Sequence, residues 1–215
     1  MRTCATAERI SVIENAVDLD RFTPSPAIRR NPKTVLFAGR MEPRKGIWVF
    51  LRAMPAIRAS VPDVQFRFIG ENLVGKRLHR LLQQQRLSKA AVFLGRLYEP
   101  LLIREMRSAA VIVVPSLVEG FGLIAAEAMA CGACVVASDC DGLRSIIANR
   151  QTGMLFPTGD AQACATAVSL MLLDPALRER LAAAGQADTA KRFSFKRQAA
   201  EMQACFEAVK KPTRK

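Results

Sequence analysis

The chain has 215 residues, half of them hydrophobic, which is enough for a buried core and too apolar for a disordered segment. Its formal charge of +13 points to anionic company, but one Trp and one Tyr offer little surface for stacking bases, so nucleic acid is not expected as a partner. No run of about 18 apolar residues and no charged-then-apolar leader occurs, so no membrane-spanning helix or signal segment is expected and the reducing cytosol is the expected location.

Residues 1–32 predict one short strand, Ile10–Ile13, followed by a polar, Pro-containing linker. From there the apolar pattern alternates in kind. Short β-branched runs at 33–38, 64–69, 91–94, 110–114, 133–137 and 153–156 are bounded by Gly, Pro or polar clusters, as buried strands are. Helix-period segments lie between the first five, at 45–60, 74–87, 99–108 and 121–131. This order predicts a Rossmann-like three-layer α/β/α domain over 33–209, with a mostly parallel sheet of about six strands. Its C-terminal part is helical, at 160–172, 175–190 and 195–209, and residues 210–215 form a basic tail.

Two stretches carry chemistry. In the first, the run AVIVVP ends at Pro115, a loop SLVEGFG follows, and a helix begins near Phe121. Ligands of such sheets bind beyond the carboxyl ends of the strands. Gly120 and Gly122 let the backbone come close to a ligand, and the unpaired amides of the first helical turn attract an anion. Helical side chains lean toward the helix N-terminus, so Glu127 can reach back to the mouth where Glu119 already lies. Carboxylates repel phosphate and accept from hydroxyls. A ligand with phosphates in the middle and polyols on either side suits both acids, and a nucleotide sugar is such a ligand. The plainer reading makes both solvated charges. The small residues around Glu127 (Ala125, Ala126, Ala128, Ala130) favour close packing instead.

The second stretch, LFAGRMEPRKG at 36–46, is another strand-to-helix loop on the same side of the sheet. After Gly39, Arg40 offers a fork for phosphate oxygens and Lys45 a compact charge. Two cations beside a diphosphate stabilise the charge that develops as the leaving group departs. The six cysteines do not form a staple framework; Cys131 and Cys134 have a C-x-x-C spacing, but with one histidine in the chain a packing role is expected and no metal site.

In GRMEPRKG (39–46), PSLVEGFGLIAAEAMACG (115–132) and TGMLFPTGD (152–160), the chain resembles the donor-binding half of family 4 glycosyltransferases, which have the GT-B fold. The resemblance covers roughly residues 10–208, and the spacing of Glu119 and Glu127 is its most diagnostic part. It implies that Arg40 and Lys45 hold the diphosphate of a sugar nucleotide, joined by the amides of Phe121, Gly122 and Leu123. It further implies that Glu127 accepts from the ribose, that Glu119 contacts the transferred sugar, and that the base sits near Arg96 and Leu97. Transfer would retain anomeric configuration without a metal ion or other cofactor. The pattern departs at Glu14-Asn15-Ala16-Val17-Asp18, where Pro-Asn-Gly-Val-Asp is usual, at Cys134 for Pro, and at Arg144-Ser145, where Glu is common.

The N-terminal acceptor domain of the family is absent from these 215 residues, so a separate acceptor domain or subunit is an expected partner. An anionic membrane surface is a second, for which Lys210, Lys211, Arg214 and Lys215 supply basic charge. The alternative to an enzyme is a non-catalytic nucleotide-sugar-binding subunit that serves a partner chain.

Overall fold

Side chains alternate across a strand, and here both directions are apolar. In the computed structural model, which describes residues 10–210, strand β1 (Asn31–Ala38) sends Val35 and Phe37 to one side and Leu36 and Ala38 to the other. Strand β4 (Ala109–Val114) does the same with Val111 and Val113 against Ile112 and Val114. A strand buried on both faces must be covered on both, which is why these runs read as unbroken hydrophobicity. The remaining strands are β2 (Gln65–Ile69), β3 (Ala91–Gly95), β5 (Cys134–Ser138) and β6 (Met154–Phe156). All pair in parallel, in the order β3-β2-β1-β4-β5-β6.

One face is covered by α1 (Ile47–Ser60), α2 (Lys76–Gln84) and α6 (Ala161–Leu173). At its centre Phe50 packs against Phe37, Phe66 and Phe68 with ring centroids 5.7–6.1 Å apart. The other face is covered by α3 (Glu99–Ser108), α4 (Leu123–Ala130) and α5 (Asp141–Ile146). Helix α7 (Pro175–Arg192) packs on α4 and β5, and α8 (Phe195–Lys210) follows. Both α6 and α7 start on an aspartate, Asp160 and Asp174, whose side chain accepts from an amide of the first turn.

The six strands expected between residues 33 and 156 and the fold class are present, two local expectations are corrected and one helix is added. Ile10–Ile13 is not a strand: it has no pairing neighbour, and Ile10 and Val12 are exposed to solvent. The segment instead docks at Val17, whose amide donates to Phe193 O at 2.8 Å, and Val17 and Phe22 are buried. Helix α5 had no counterpart in the sequence pattern. The helix expected from residue 45 begins at Ile47, because a one-turn 3-10 helix, Pro43–Lys45, ends on Gly46 in the left-handed region (φ 71°). The basic tail lies, past Lys210, outside the described residues. Helix α8 turns Phe195, Met202, Phe206 and Val209 outward along one stripe. No described helix is long and apolar enough to cross a membrane.

Candidate functional site

The strand order reverses between β1 and β4, and a crevice opens there beyond their carboxyl ends, as parallel sheets of this kind dictate. A cavity of about 460 Å³ occupies it. Gly39 closes its floor at the end of β1, Ser116 follows β4, and Lys45, Glu119 and Glu127 are its charged walls. Phe121, Gly122 and Leu123 complete it from the loop and the first residue of α4.

Two backbone devices press these loops together. Gly46 sits so close to β4 that a Cβ there would lie 1.7 Å from Pro115 O, so no other residue fits. The next contact along the same seam is the Leu117 amide, which donates to Arg44 O at 2.9 Å. Behind the loop, the buried Ser138 hydroxyl donates to Ser116 O. Lys45 is thereby carried to Glu119: its Nζ donates to both carboxylate oxygens at 2.8 Å. The two side chains are 22% and 11% exposed, so the pair is shielded but reachable from the cavity.

Helix α4 starts on Gly122 (φ 98°) with no side chain capping it. Among the described residues, the amides of Phe121, Gly122 and Leu123 donate to no protein acceptor. These unpaired donors and the helix dipole make the cavity attractive to an anion. Phe121 is braced from behind by Phe193, edge to face at 5.4 Å, and Arg192 caps that ring at 4.6 Å while pairing with Glu14.

Glu127, little more than one turn into α4, is half-buried. Burial first, and then the charge of Glu99, raise its carboxyl from 4.5 to about 7. A raised carboxyl pKa means that the folded state favours the protonated form. The stability of that form is complete below about 4.5 and is lost as pH rises through about 7. Glu127→Gln is therefore expected to leave stability unchanged in acid and raise it by up to about 3 kcal/mol in mild base. Urea denaturation at the two pH values checks this; an equal effect in both would place the cost elsewhere.

The other expected site residues are divided. Arg40 does not enter the cavity of Lys45. It is exposed and pairs with Glu42 at 3.1 Å, the same carboxylate that Arg44 approaches at 3.3 Å. It lines an adjoining cavity of about 420 Å³ together with Arg96 and Leu97, and the two cavities share Ala38, Gly39 and Ile124. Gly120 lines neither and is exposed. Asn15, to which the spacing assigns no role, lines the first cavity. Gly142 was also missed: a Cβ there would lie 2.4 Å from Glu119 O, so α5 can press against the loop only because this position is glycine. Cys131 and Cys134 are buried on opposite faces of the sheet, and burial pushes each thiol up to about 12, so they share no site. No cluster of metal-ligating side chains occurs among the described residues.

A parallel sheet wound in both directions, with a crevice at the reversal of strand order, defines the doubly wound α/β class. The chain belongs to the group 1 glycosyltransferases: the family described as "Glycosyl transferases group 1" matches residues 19–188. It is 37% identical over 202 residues to the phosphatidyl-myo-inositol mannosyltransferase of Mycobacterium leprae, covering 92% of this chain and 53% of that protein. Sucrose-phosphate synthase from Thermosynechococcus elongatus superposes with a TM-score of 0.80 at 30% identity, over 93% of this chain and 52% of that one. The Anabaena protein HepE, in complex with UDP-glucose, gives a TM-score of 0.81 at 24% identity over 95% and 58% of the two chains. The sheet and its helices are those of GT-B glycosyltransferases, and the chain spans about half the length of the curated relatives it matches.

Proposed function

We propose that the chain is the donor-binding half of a retaining family 4 glycosyltransferase, transferring a sugar from a nucleotide-diphosphate sugar. The observation that carries this reading is the meeting of Lys45, Glu119 and the uncapped start of α4 in one cavity. Lys45 and the amides of Phe121, Gly122 and Leu123 bind the diphosphate. Glu127, when ionised, accepts from the ribose hydroxyls, and Glu119 receives the sugar. The adjoining cavity at Arg96 and Leu97 takes the base, with Arg40 at its rim.

The bidentate Lys45–Glu119 pair gives the order of events. An arriving diphosphate competes for the ammonium. The carboxylate it releases is left facing the place where the sugar lies. As the glycosidic bond breaks, negative charge builds on the diphosphate, and the same ammonium and amides stabilise it. No metal ion or cofactor enters this scheme.

The acceptor contacts belong to a separate domain or subunit. Two facts support this: the chain spans about half of its relatives, and α8 leaves an apolar stripe in solvent. In such an arrangement closure of two halves excludes water from the cleft. Peripheral attachment to an anionic membrane on the cytoplasmic side fits the charge of +13.

Calorimetric titration of the chain with UDP, GDP and ADP, and then with their sugar conjugates, tests the reading. At least one diphosphate is expected to bind saturably, more tightly in mild base than in mild acid because only ionised Glu127 accepts from two hydroxyls. Absence of binding to all three nucleotides would overturn it.

A further inference from the structure

On the far side of the Pro43–Gly46 turn lies a second groove, of about 820 Å³, between α1 and α2. Helix α1 contributes Trp48 and Arg52, helix α2 contributes Arg77, Arg80 and Leu81, and Leu117 closes one end. No acidic residue lines it, and Arg52, Arg77 and Arg80 make no ion pair among the described residues. Arg52, Arg77 and Arg80 are exposed, and what sets them apart is that all three converge on one groove with no carboxylate among its lining residues.

The groove is also partly preorganised. The Arg77 guanidinium lies 4.8 Å from the Trp48 ring centroid, which fixes its direction. Trp48 is itself packed against the core, and Leu81 and the half-exposed Leu117 give the groove apolar walls. A carboxylate satisfies one guanidinium fork; three forks match the oxygens and the double charge of a phosphate ester. The apolar walls then ask for a hydrocarbon arm on that ester.

We propose that this groove is a second anion site, which binds a phosphate ester bearing an apolar arm. Arg52, Arg77 and Arg80 take the phosphate, and Trp48, Leu81 and Leu117 take the arm. The ester comes either from an anionic lipid at a bilayer surface or from a soluble metabolite; the chemistry recognised is the same. The site is separate from the diphosphate cavity, because Lys45 points to the other side of the turn whose Pro43 and Gly46 line this groove. It stands whether or not a nucleotide binds.

Trp48 is the chain's one tryptophan, so its fluorescence reports this groove alone. Sub-micellar dihexanoyl phosphatidic acid is expected to change that fluorescence saturably. In the double variant Arg52→Gln/Arg80→Gln the dissociation constant should rise at least about tenfold. An unchanged thermal midpoint in the variant shows that the fold is intact. Sedimentation with phosphatidylcholine vesicles, with and without long-chain phosphatidic acid, separates the sources. Vesicle binding that needs phosphatidic acid and both arginines identifies the lipid; response to the soluble probe alone identifies a metabolite. Absence of a saturable response in both arms overturns the site. Binding that is equal in wild type and variant also overturns it, since the charge of +13 alone would then explain the attraction.

Discussion

Lys45→Ala is expected to weaken binding of a nucleotide diphosphate by about tenfold to a hundredfold. Among the described residues the lysine is the one cation lining the cavity at the switch point, and each charged hydrogen bond it makes is worth about 1.5–3 kcal/mol. The same change orphans Glu119, which is 11% exposed, so the apo protein should also lose about 1–3 kcal/mol of stability. Lys45→Ala/Glu119→Gln should recover most of that stability and none of the binding. Calorimetry and urea denaturation on the same samples separate the two effects. Arg40→Ala should do less than Lys45→Ala, because Arg40 is exposed and already engaged with Glu42. If Arg40→Ala costs more binding than Lys45→Ala, the diphosphate lies in the adjoining cavity and the roles assigned above must be exchanged.

Gly46→Ala is expected to cost about 2–4 kcal/mol and to abolish most donor binding. A methyl group 1.7 Å from Pro115 O cannot be accommodated by a rotamer change, since the obstacle is backbone. The left-handed conformation at this position adds about 1 kcal/mol for any residue with a Cβ. Overpacking adds about 1–3 kcal/mol more. The turn would have to lift off β4, taking Lys45 away from Glu119 and breaking the Leu117–Arg44 hydrogen bond. Gly159→Ala is the matched control: its φ is also positive, at 84°, but a Cβ there meets no atom within 4 Å. It should cost about 1 kcal/mol and leave binding intact. Equal losses in the two variants would mean that strain, and not the contact with Pro115, governs the turn.

Much of the frame is written locally in the chain. Each strand is a short apolar run stopped by Gly, Pro or a polar cluster, and that grammar survives without any tertiary information. The failures have local causes as well. Ile10–Ile13 has the composition of a strand, but composition does not supply a neighbour to pair with. Helix α5 is six residues long and contains Gly142, too short and too flexible for a period to show. The strand-to-helix loops announced Lys45, Glu119 and Glu127 because one loop and one helical turn fix where each side chain goes. Arg40 escaped that logic: it is captured by Glu42, a choice made by loop conformation that spacing does not encode. Gly142, Phe193 and Asn15 come to the site through packing between distant segments. So does the groove of Trp48 and its arginines, which exists only once α1 and α2 lie side by side.

The position of β1 has a consequence for how the molecule is made. Of the six strands of this sheet it is the first to leave the ribosome, yet it occupies the middle, with β2 on one flank and β4 on the other. Until Val114 has emerged, one of its edges is bare and its apolar side chains lack half their cover. Such long-range closure is slow and leaves an exposed template for misassociation. The nascent sheet is thus most in need of a chaperone between the emergence of Ala38 and that of Val114, and a message that stalls before β4 yields an aggregate-prone stub.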